Sequence, residues 1–136
     1  MTAETPEPRP DLSNLVEGVF DLFCTASSDG RFIACCGDWK KLLGYAPEEL
    51  SGTSYFDLVH PRDRRATQRA TEKLANGGRV TRFVNRYRDK AGTYRWFEWH
   101  AAIDPADGLI HAAIRDVTRE RRLITHATHV EQISGI

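Results

Sequence analysis

The sequence lacks an excess of charge of either sign and any apolar run long enough to cross a bilayer. Its 136 residues carry 19 lysines and arginines against 19 aspartates and glutamates, so the formal net charge is zero. A protein that tracks a nucleic-acid duplex needs a positive field, and nucleic acid is therefore not an expected partner. The amino terminus has no basic segment followed by an apolar one, so it is no secretory signal and the sequence predicts a cytoplasmic protein.

Cysteine is scarce, and no cluster of metal ligands is evident. The three cysteines are Cys24, Cys35 and Cys36. Two of them are adjacent, and adjacent residues reach ordinary disulfide geometry only with difficulty, so a disulfide-stapled scaffold is excluded. The five histidines have no close spacing to cysteine or carboxylate of the kind that zinc sites use. No metal site is predicted.

The first part of the chain divides into a polar leader, a helix and a β-hairpin. Residues 1–10 are rich in proline and charge, which favours a flexible leader. Residues 11–20 carry apolar side chains at helical spacing and predict an amphipathic flanking helix. The apolar positions of its face include Leu15, Val16 and Val19. Two β-favouring segments then surround Asp29 and Gly30, a pair that suits a tight turn and predicts a hairpin.

The remainder predicts helices, a three-stranded meander and a final helix. After short helical turns, a longer helix is predicted over residues 62–75. The hydrophobic period then changes to two, which indicates strands over 80–88, 93–103 and 109–117. Residues 119–136 predict the start of a coiled-coil helix, with a seam formed by Leu123, His126, Val130 and Ile133. Five strands with helices between the second and third indicate an α+β domain.

Six short motifs occur in a fixed order along the chain. They are D-G-R-F at 29–32, L-L-G-Y-x-P-E-E-L-x-G at 42–52, V-H-P-R-D at 59–63, R-Y-R at 86–88, G-T-Y-R-W at 92–96 and I-R-D-V-T at 114–118. In this order they resemble the PAS sensor family, including its carboxy-terminal PAC portion, over residues 19–122. The resemblance implies a sensor domain over 21–118, with a five-stranded antiparallel sheet and short helices that cup one face around a small cavity.

The resemblance also directs attention to the cavity and its ligand. The candidate cavity residues are Cys36, Trp39, Leu43, Tyr45, Phe56 and Trp96. The ligand is unknown. Haem-binding members of the family usually take a histidine from the longer helix, and residues 62–75 contain none. The light-sensing branch uses a flavin and a reactive cysteine on the central helices, and no cysteine follows Cys36. Haem and photoactive flavin are therefore disfavoured.

The segment Asp116-Val117-Thr118 matches the exit motif of the family, where the last strand passes to an output helix. The resemblance implies Asp116 and Thr118 as signal-relay residues, because either side chain can satisfy free backbone donors at the start of that helix. Aromatic residues on the predicted strands also fall on the outer face of the sheet, which is unfavourable unless covered. The flanking helix of this protomer or of a second copy is the expected cover, and a homodimer is predicted.

These features predict a sensory and regulatory module of a bacterial signal-transduction protein, with no catalysis of its own. It binds a small ligand or a partner and acts through the final helix on an output domain, which in this family is often a histidine kinase or a cyclic-dinucleotide enzyme. Two alternatives stay open. One is a docking or dimerisation module without a ligand, and the other is a small cone-shaped α+β enzyme, for which Tyr55 and Asp57 are the nearest tyrosine–acid pair.

Overall fold

The computed structural model describes residues 20–124, which form five strands with helices inserted between the second and the third. The elements are β1 (Leu22–Ala26), β2 (Phe32–Gly37), α1 (Trp39–Leu43), α2 (Pro47–Leu50), two 3-10 helices (Tyr55–Leu58 and Pro61–Asp63), α3 (Arg64–Ala75), β3 (Arg79–Arg88), β4 (Tyr94–Asp104) and β5 (Leu109–Asp116). Residues 118–124 are again helical. None of the helices in this described part is long and apolar enough to cross a membrane. The predicted α+β class is confirmed.

The strands form one antiparallel sheet in the order β2-β1-β5-β4-β3. The predicted hairpin is confirmed, and Gly30 in its turn adopts a φ of 92°, which favours glycine over residues with a side chain. The predicted meander of β3, β4 and β5 is confirmed as well. Pairing of the first strand with the last brings the two ends of the domain together at the centre of the sheet.

The helices cover one face of the sheet, and the hydrophobic core lies between the two layers. Trp39 of α1 and Leu74 of α3 are buried against the inner face. On β4 the side chains alternate: Phe97 and Trp99 are buried in the core, whereas Trp96 points to the outer face and is only half-buried. The predicted division of the strand aromatics between the two faces is therefore confirmed.

The outer face carries the start of the described chain. The ring centroid of Phe20 lies 6.4 Å from that of Phe23 and 5.2 Å from that of His100, both on the outer face. Several predicted interaction residues lie outside the described residues, namely Leu15, Val16, Val19, Val130 and Ile133. Leu123 of the predicted seam is described, and it is exposed together with Ile124.

Candidate functional site

A cavity lies between α3 and the inner face of the sheet. The space open to the centre of a water molecule is about 40 Å³. One buried water needs about 10–15 Å³ by this measure, so the cavity has room for about three waters or a ligand of a few heavy atoms. It is lined by Cys24, Ala26, Tyr55, Thr67, Ala70, Thr71, Leu74, Val80, Phe83, Asn85, Tyr87, Trp99, Ala101 and Ile110.

The cavity exists because the face that α3 turns toward the sheet carries short side chains. Thr67, Ala70, Thr71 and Leu74 share one face by helical spacing. Alanine and threonine have a smaller volume than leucine or phenylalanine, so Thr67, Ala70 and Thr71 leave space between α3 and the sheet that larger side chains would fill. The sequence of α3 therefore determines both the position and the size of the cavity.

A hydrogen-bonded network of three buried side chains crosses one wall of the cavity. The Thr67 hydroxyl donates to the backbone carbonyl of Asp63 at 2.7 Å, and its oxygen accepts from Asn85 Nδ2 at 3.1 Å. Asn85 Oδ1 accepts from Trp99 Nε1 at 2.8 Å. Because the indole can only donate and the threonine proton is already used, the orientation of the Asn85 amide is determined. Its second amide hydrogen has no partner among the described residues.

Two tyrosines reach the cavity, and their hydroxyls differ in hydrogen bonding. Tyr55 Oη lies 2.7 Å from Thr71 Oγ1. The Tyr87 side chain is only 1% exposed, yet its hydroxyl makes no hydrogen bond to any residue in the described part of the chain. Burial raises the pKa of Tyr55, of Tyr87 and of the Cys24 thiol above the ordinary values, so all three are neutral at pH 7.

The candidate cavity residues on α1 lie away from this cavity. Trp39 and Leu43 are fully buried, and the Trp39 ring packs edge-on against Phe32 with centroids 5.4 Å apart. Trp39 Nε1 also donates to the backbone carbonyl of Phe23 at 3.1 Å. The large side chains of α1 fill the space beneath their helix, whereas the short side chains of α3 do not. Neither Trp39 nor Leu43 lines the cavity beneath α3, and their role as ligand-contacting residues stays a prediction.

The other four candidates also lie outside the lining. Cys36 is exposed on the edge strand β2, and Trp96 faces the outer side of the sheet because its neighbours on β4 take the inner side. Tyr45 is half-buried, with Lys90 Nζ 6.0 Å from its ring centroid. Phe56 stacks on the cavity residue Tyr55 at 4.8 Å between centroids but does not line the cavity itself.

Sequence reasoning missed the polar lining residues, although β3 carries a signal for two of them. Asn85 and Tyr87 alternate with Arg86 and Arg88. In a strand, this alternation places the arginines on one face and the two other side chains on the opposite, inward face. A polar amide at an inward position needs buried partners, and that requirement marks a site.

The exit motif forms a hydrogen-bonded junction between β4, β5 and the helical residues 118–124. Asp116 Oδ2 accepts from Arg95 Nε at 2.7 Å, and Asp116 Oδ1 accepts from the backbone N–H of Thr118 at 2.9 Å. The Thr118 hydroxyl oxygen accepts from the backbone N–H of Trp96 at 2.9 Å. Both predicted relay residues thus contact β4 as well as the start of the final helix.

A second set of contacts links Asp63, which directly precedes α3, to the final helix across the sheet, and we term it the relay contacts. Its members are Asp63, Arg86, Trp96 and Arg121. Asp63 binds the Arg86 guanidinium through both carboxylate oxygens, at 2.8 and 2.9 Å. The guanidinium carbons of Arg86 and Arg121 lie 4.8 and 4.7 Å from the Trp96 ring centroid. Partial burial raises the pKa of the Asp63 carboxyl, but hydrogen bonds from Arg86 outweigh it and hold the pKa below its usual value.

One exposed cluster combines carboxylates with a histidine, contrary to the absence of such spacing noted in the sequence. Asp104, Asp107 and His111 meet at the turn between β4 and β5, with His111 Nε2 2.9 Å from Asp107 Oδ2. The other carboxylate oxygens cap the turn: Asp104 accepts from Ala106 N and Asp107 from Leu109 N, each at 2.9 Å. These bonds explain the cluster as a feature of the turn.

The cavity lining does not fit haem or a photoactive flavin. Within residues 20–124, His60, His100 and His111 all lie outside the lining. The cysteine that lines the cavity, Cys24, belongs to β1 and not to a central helix. The cavity volume of about 40 Å³ is also far below the several hundred Å³ that larger ligands occupy.

Comparison with known proteins gives a consistent result. A family model described as "PAS fold" matches residues 32–111. The White collar 1 protein of Neurospora crassa is 30% identical over 123 residues, which cover 90% of this chain and 10% of that protein. Hypoxia-inducible factor 1-alpha of Gallus gallus is 32% identical over 100 residues, which cover 71% of this chain and 12% of that protein. The chain thus spans about a tenth of the length of these relatives.

A solved structure agrees with the sequence relatives. The Cycle PAS-B domain of Drosophila melanogaster, determined as a variant with bound glycerol, superposes with a TM-score of 0.61 at 26% identity. The superposition covers 70% of this chain and 98% of that domain. The shared architecture therefore comprises nearly the whole of the neighbouring domain.

Proposed function

The chain belongs to the PAS family, and on that premise we propose that it is a cytoplasmic sensory and regulatory module that binds a small molecule in the cavity beneath α3. It has no catalysis of its own in this proposal. The observation that carries the proposal is the connection between the cavity and the final helix: the polar network of the cavity wall ends at Asp63, where the relay contacts begin. A change in the cavity thus has a physical route to residues 118–124.

The route consists of short contacts between groups that hold one another in place. A ligand that displaces the Asn85 amide moves the Thr67 hydroxyl, which is bonded to the backbone of Asp63. Movement of Asp63 shifts the Arg86 guanidinium and with it the ring of Trp96. The backbone N–H of Trp96 is also bonded to Thr118, so the displacement reaches the start of the final helix at Thr118. It reaches the helix a second time through the Arg121 guanidinium, which packs on the Trp96 ring.

The final helix is proposed to act on an output domain, a histidine kinase or a cyclic-dinucleotide enzyme of a bacterial signalling protein. This choice rests on the resemblance of the exit motif. We also propose a homodimer, supported by the exposure of Leu123 and Ile124 at 57% and 60%. Two adjacent apolar side chains on one exposed helix gain free energy when a second helix covers them.

A ligand of small size is supported by the neighbouring Drosophila domain, whose structure contains glycerol. That molecule has six heavy atoms, about the upper limit for a cavity with room for about three waters. The cavity described here is therefore suited to solutes of this order, and larger cofactors would require α3 to move away from the sheet.

Native mass spectrometry combined with NMR tests the proposal. The purified chain is examined for a non-covalent small-molecule adduct, which is identified after release. The ligand-free protein is then titrated with that molecule while backbone amide shifts are recorded in the wild type, in Trp96→Leu and in the control His111→Gln at the far end of β5. We expect cavity amides to shift in all three proteins, and residues 118–124 to shift in the wild type and control only. Cavity amides that stay unchanged during titration with the released molecule, or the absence of any adduct, would refute sensing.

A docking module without a ligand is the second candidate, and the small volume of the cavity favours it. In that case the outer face of the sheet and the exposed residues of the final helix carry the function. Light scattering over a range of concentrations, performed on protein with and without the adduct, distinguishes the two candidates. Self-association that the adduct leaves unchanged, together with unshifted amides in residues 118–124, supports docking, whereas association or helix amides that respond to the adduct support sensing.

A further inference from the structure

The polar atoms of the cavity that lack partners restrict which molecules it can hold. The Tyr87 hydroxyl and the second amide hydrogen of Asn85 are both unpaired among the described residues, and both side chains are 1% exposed. They stand two residues apart on β3 and therefore project from the same face into the same cavity. An unpaired buried donor has lost its hydration without a compensating hydrogen bond, so a ligand that pairs with it gains a specific advantage.

Both unpaired groups can donate a hydrogen bond. The Asn85 carbonyl oxygen is occupied by the Trp99 indole, which leaves an N–H as the free group of this side chain. The Tyr87 phenol is neutral and keeps its proton. A molecule with an oxygen acceptor can receive hydrogen bonds from both, whereas a molecule that only donates leaves the Asn85 hydrogen unpaired.

The lining also discriminates against charge. None of the lining residues in the described part of the chain carries a charged side chain, and the nearest carboxylate of the polar network, that of Asp63, is occupied by Arg86. An ion placed in this cavity would lose its hydration without gaining a counter-charge, which is strongly unfavourable. The remaining wall is apolar, with Leu74, Val80 and Ile110 among its residues.

From these three properties we propose that the cavity selects a small neutral molecule with one oxygen acceptor, of the ketone, aldehyde, alcohol or amide class. The acceptor is held by the Tyr87 hydroxyl and the Asn85 amide, and the ligand has about three to six heavy atoms, given the room for about three waters. This inference rests on the sensing function proposed above and specifies the chemistry of its ligand.

Three probes of similar size test the inference by NMR titration of the full chain. Acetone is neutral with an oxygen acceptor, acetate has nearly the same shape but is anionic, and xenon is apolar. The Trp99 indole resonance and the amides of β3 report binding in the cavity. The variants are Tyr87→Phe, which removes only the hydroxyl, and the control Tyr94→Phe, whose ring packs on His60 outside the cavity.

We expect acetone to bind the wild type and the control at least tenfold more tightly than acetate does. In Tyr87→Phe the dissociation constant of acetone should rise about tenfold, equivalent to about 1.4 kcal/mol, while that of xenon stays within about twofold because the ring is retained. Equal affinities for acetone and acetate, or an acetone dissociation constant that Tyr87→Phe leaves unchanged, would overturn the inference. Xenon binding in the same experiment would still support a ligand cavity. Unshifted cavity resonances with all three probes would instead overturn sensing itself.

Discussion

Replacing Tyr87 with phenylalanine is expected to stabilise the ligand-free protein. The substitution keeps a ring that stacks on Phe97, with centroids 5.3 Å apart, and removes a buried hydroxyl without a partner among the described residues. Desolvation of such a group costs about 1–3 kcal/mol, and part of that cost is relieved if water enters the cavity. We therefore expect the free energy of unfolding to rise by about 1–2 kcal/mol.

The matched control is the same substitution at Tyr55, which lines the same cavity. Its hydroxyl lies 2.7 Å from Thr71 Oγ1, so Tyr55→Phe breaks a hydrogen bond and leaves the threonine hydroxyl unpaired. This change should lower the free energy of unfolding by about 0.5–1.5 kcal/mol. Two chemically identical substitutions in one cavity are thus predicted to change the free energy of unfolding in opposite directions.

Urea unfolding followed by tryptophan fluorescence and circular dichroism measures both effects. The buried indoles of Trp39 and Trp99 report loss of the core, and equal urea dependences in all variants would show that a two-state comparison is justified. A melting temperature raised by about 5 °C per kcal/mol provides an independent check. If Tyr87→Phe destabilises the protein as Tyr55→Phe does, the Tyr87 hydroxyl is satisfied in the apo protein and the reasoning on the cavity fails.

Three further predictions concern backbone strain, an ion pair and thiol reactivity. Arg82 has a φ of 54° within a bulge of β3. Arg82→Gly should therefore raise the free energy of unfolding by about 1 kcal/mol and the melting temperature by several degrees. The neighbouring control Thr81→Gly should lower the melting temperature. Because the pKa of Asp63 is depressed in the folded state, its stabilisation is present above the unfolded pKa of about 3.9 and is lost as pH falls through the folded pKa. The destabilisation caused by Asp63→Asn should therefore be largest at pH 7 in urea unfolding and should shrink as the pH falls below about 4. An effect independent of pH would contradict the ion pair. Burial raises the pKa of Cys35 to about 12. Brief iodoacetamide treatment at pH 8, followed by peptide mass spectrometry, should therefore find label on the exposed Cys36 and hardly any on Cys35. Equal labelling of the two thiols would show that β2 opens readily.

Much of the fold follows from local patterns in the sequence. The Asp29-Gly30 turn and the period of two in the second half predict β1 to β5 because turn chemistry and alternating burial act between residues that are close along the chain. The structure differs in detail at the longer helix, where Pro61–Asp63 forms a 3-10 turn and α3 begins at Arg64. The fixed φ of proline suits such a first turn, and sequence periodicity does not distinguish it from an α-helix.

The candidate site was much less accessible to sequence reasoning. The large aromatic and aliphatic residues expected at the cavity, such as Trp39, fill the space that they enter, and the cavity instead lies where Ala70 and the threonines of α3 face the sheet. Asn85 and Tyr87 alternate with arginines along β3, and this pattern is visible in the sequence. The hydrogen bonds of Asn85, however, are made to Trp99 and Thr67, which are 14 and 18 residues away along the chain. The hydrogen-bond state of a buried group depends on which distant groups surround it.

The sequence by itself determined the class of the protein: alternating strands, turn residues and six ordered motifs identify an α+β sensor fold, because each arises from interactions local to the chain. The tertiary structure alone decided where the cavity lies and, among residues 20–124, that its walls are uncharged and that two donors in it lack partners. It also decided that the cavity wall is connected to the final helix through Arg86 and Trp96. These properties come from long-range packing, in which the neighbours of a side chain are set by the sheet order and the docking of α3.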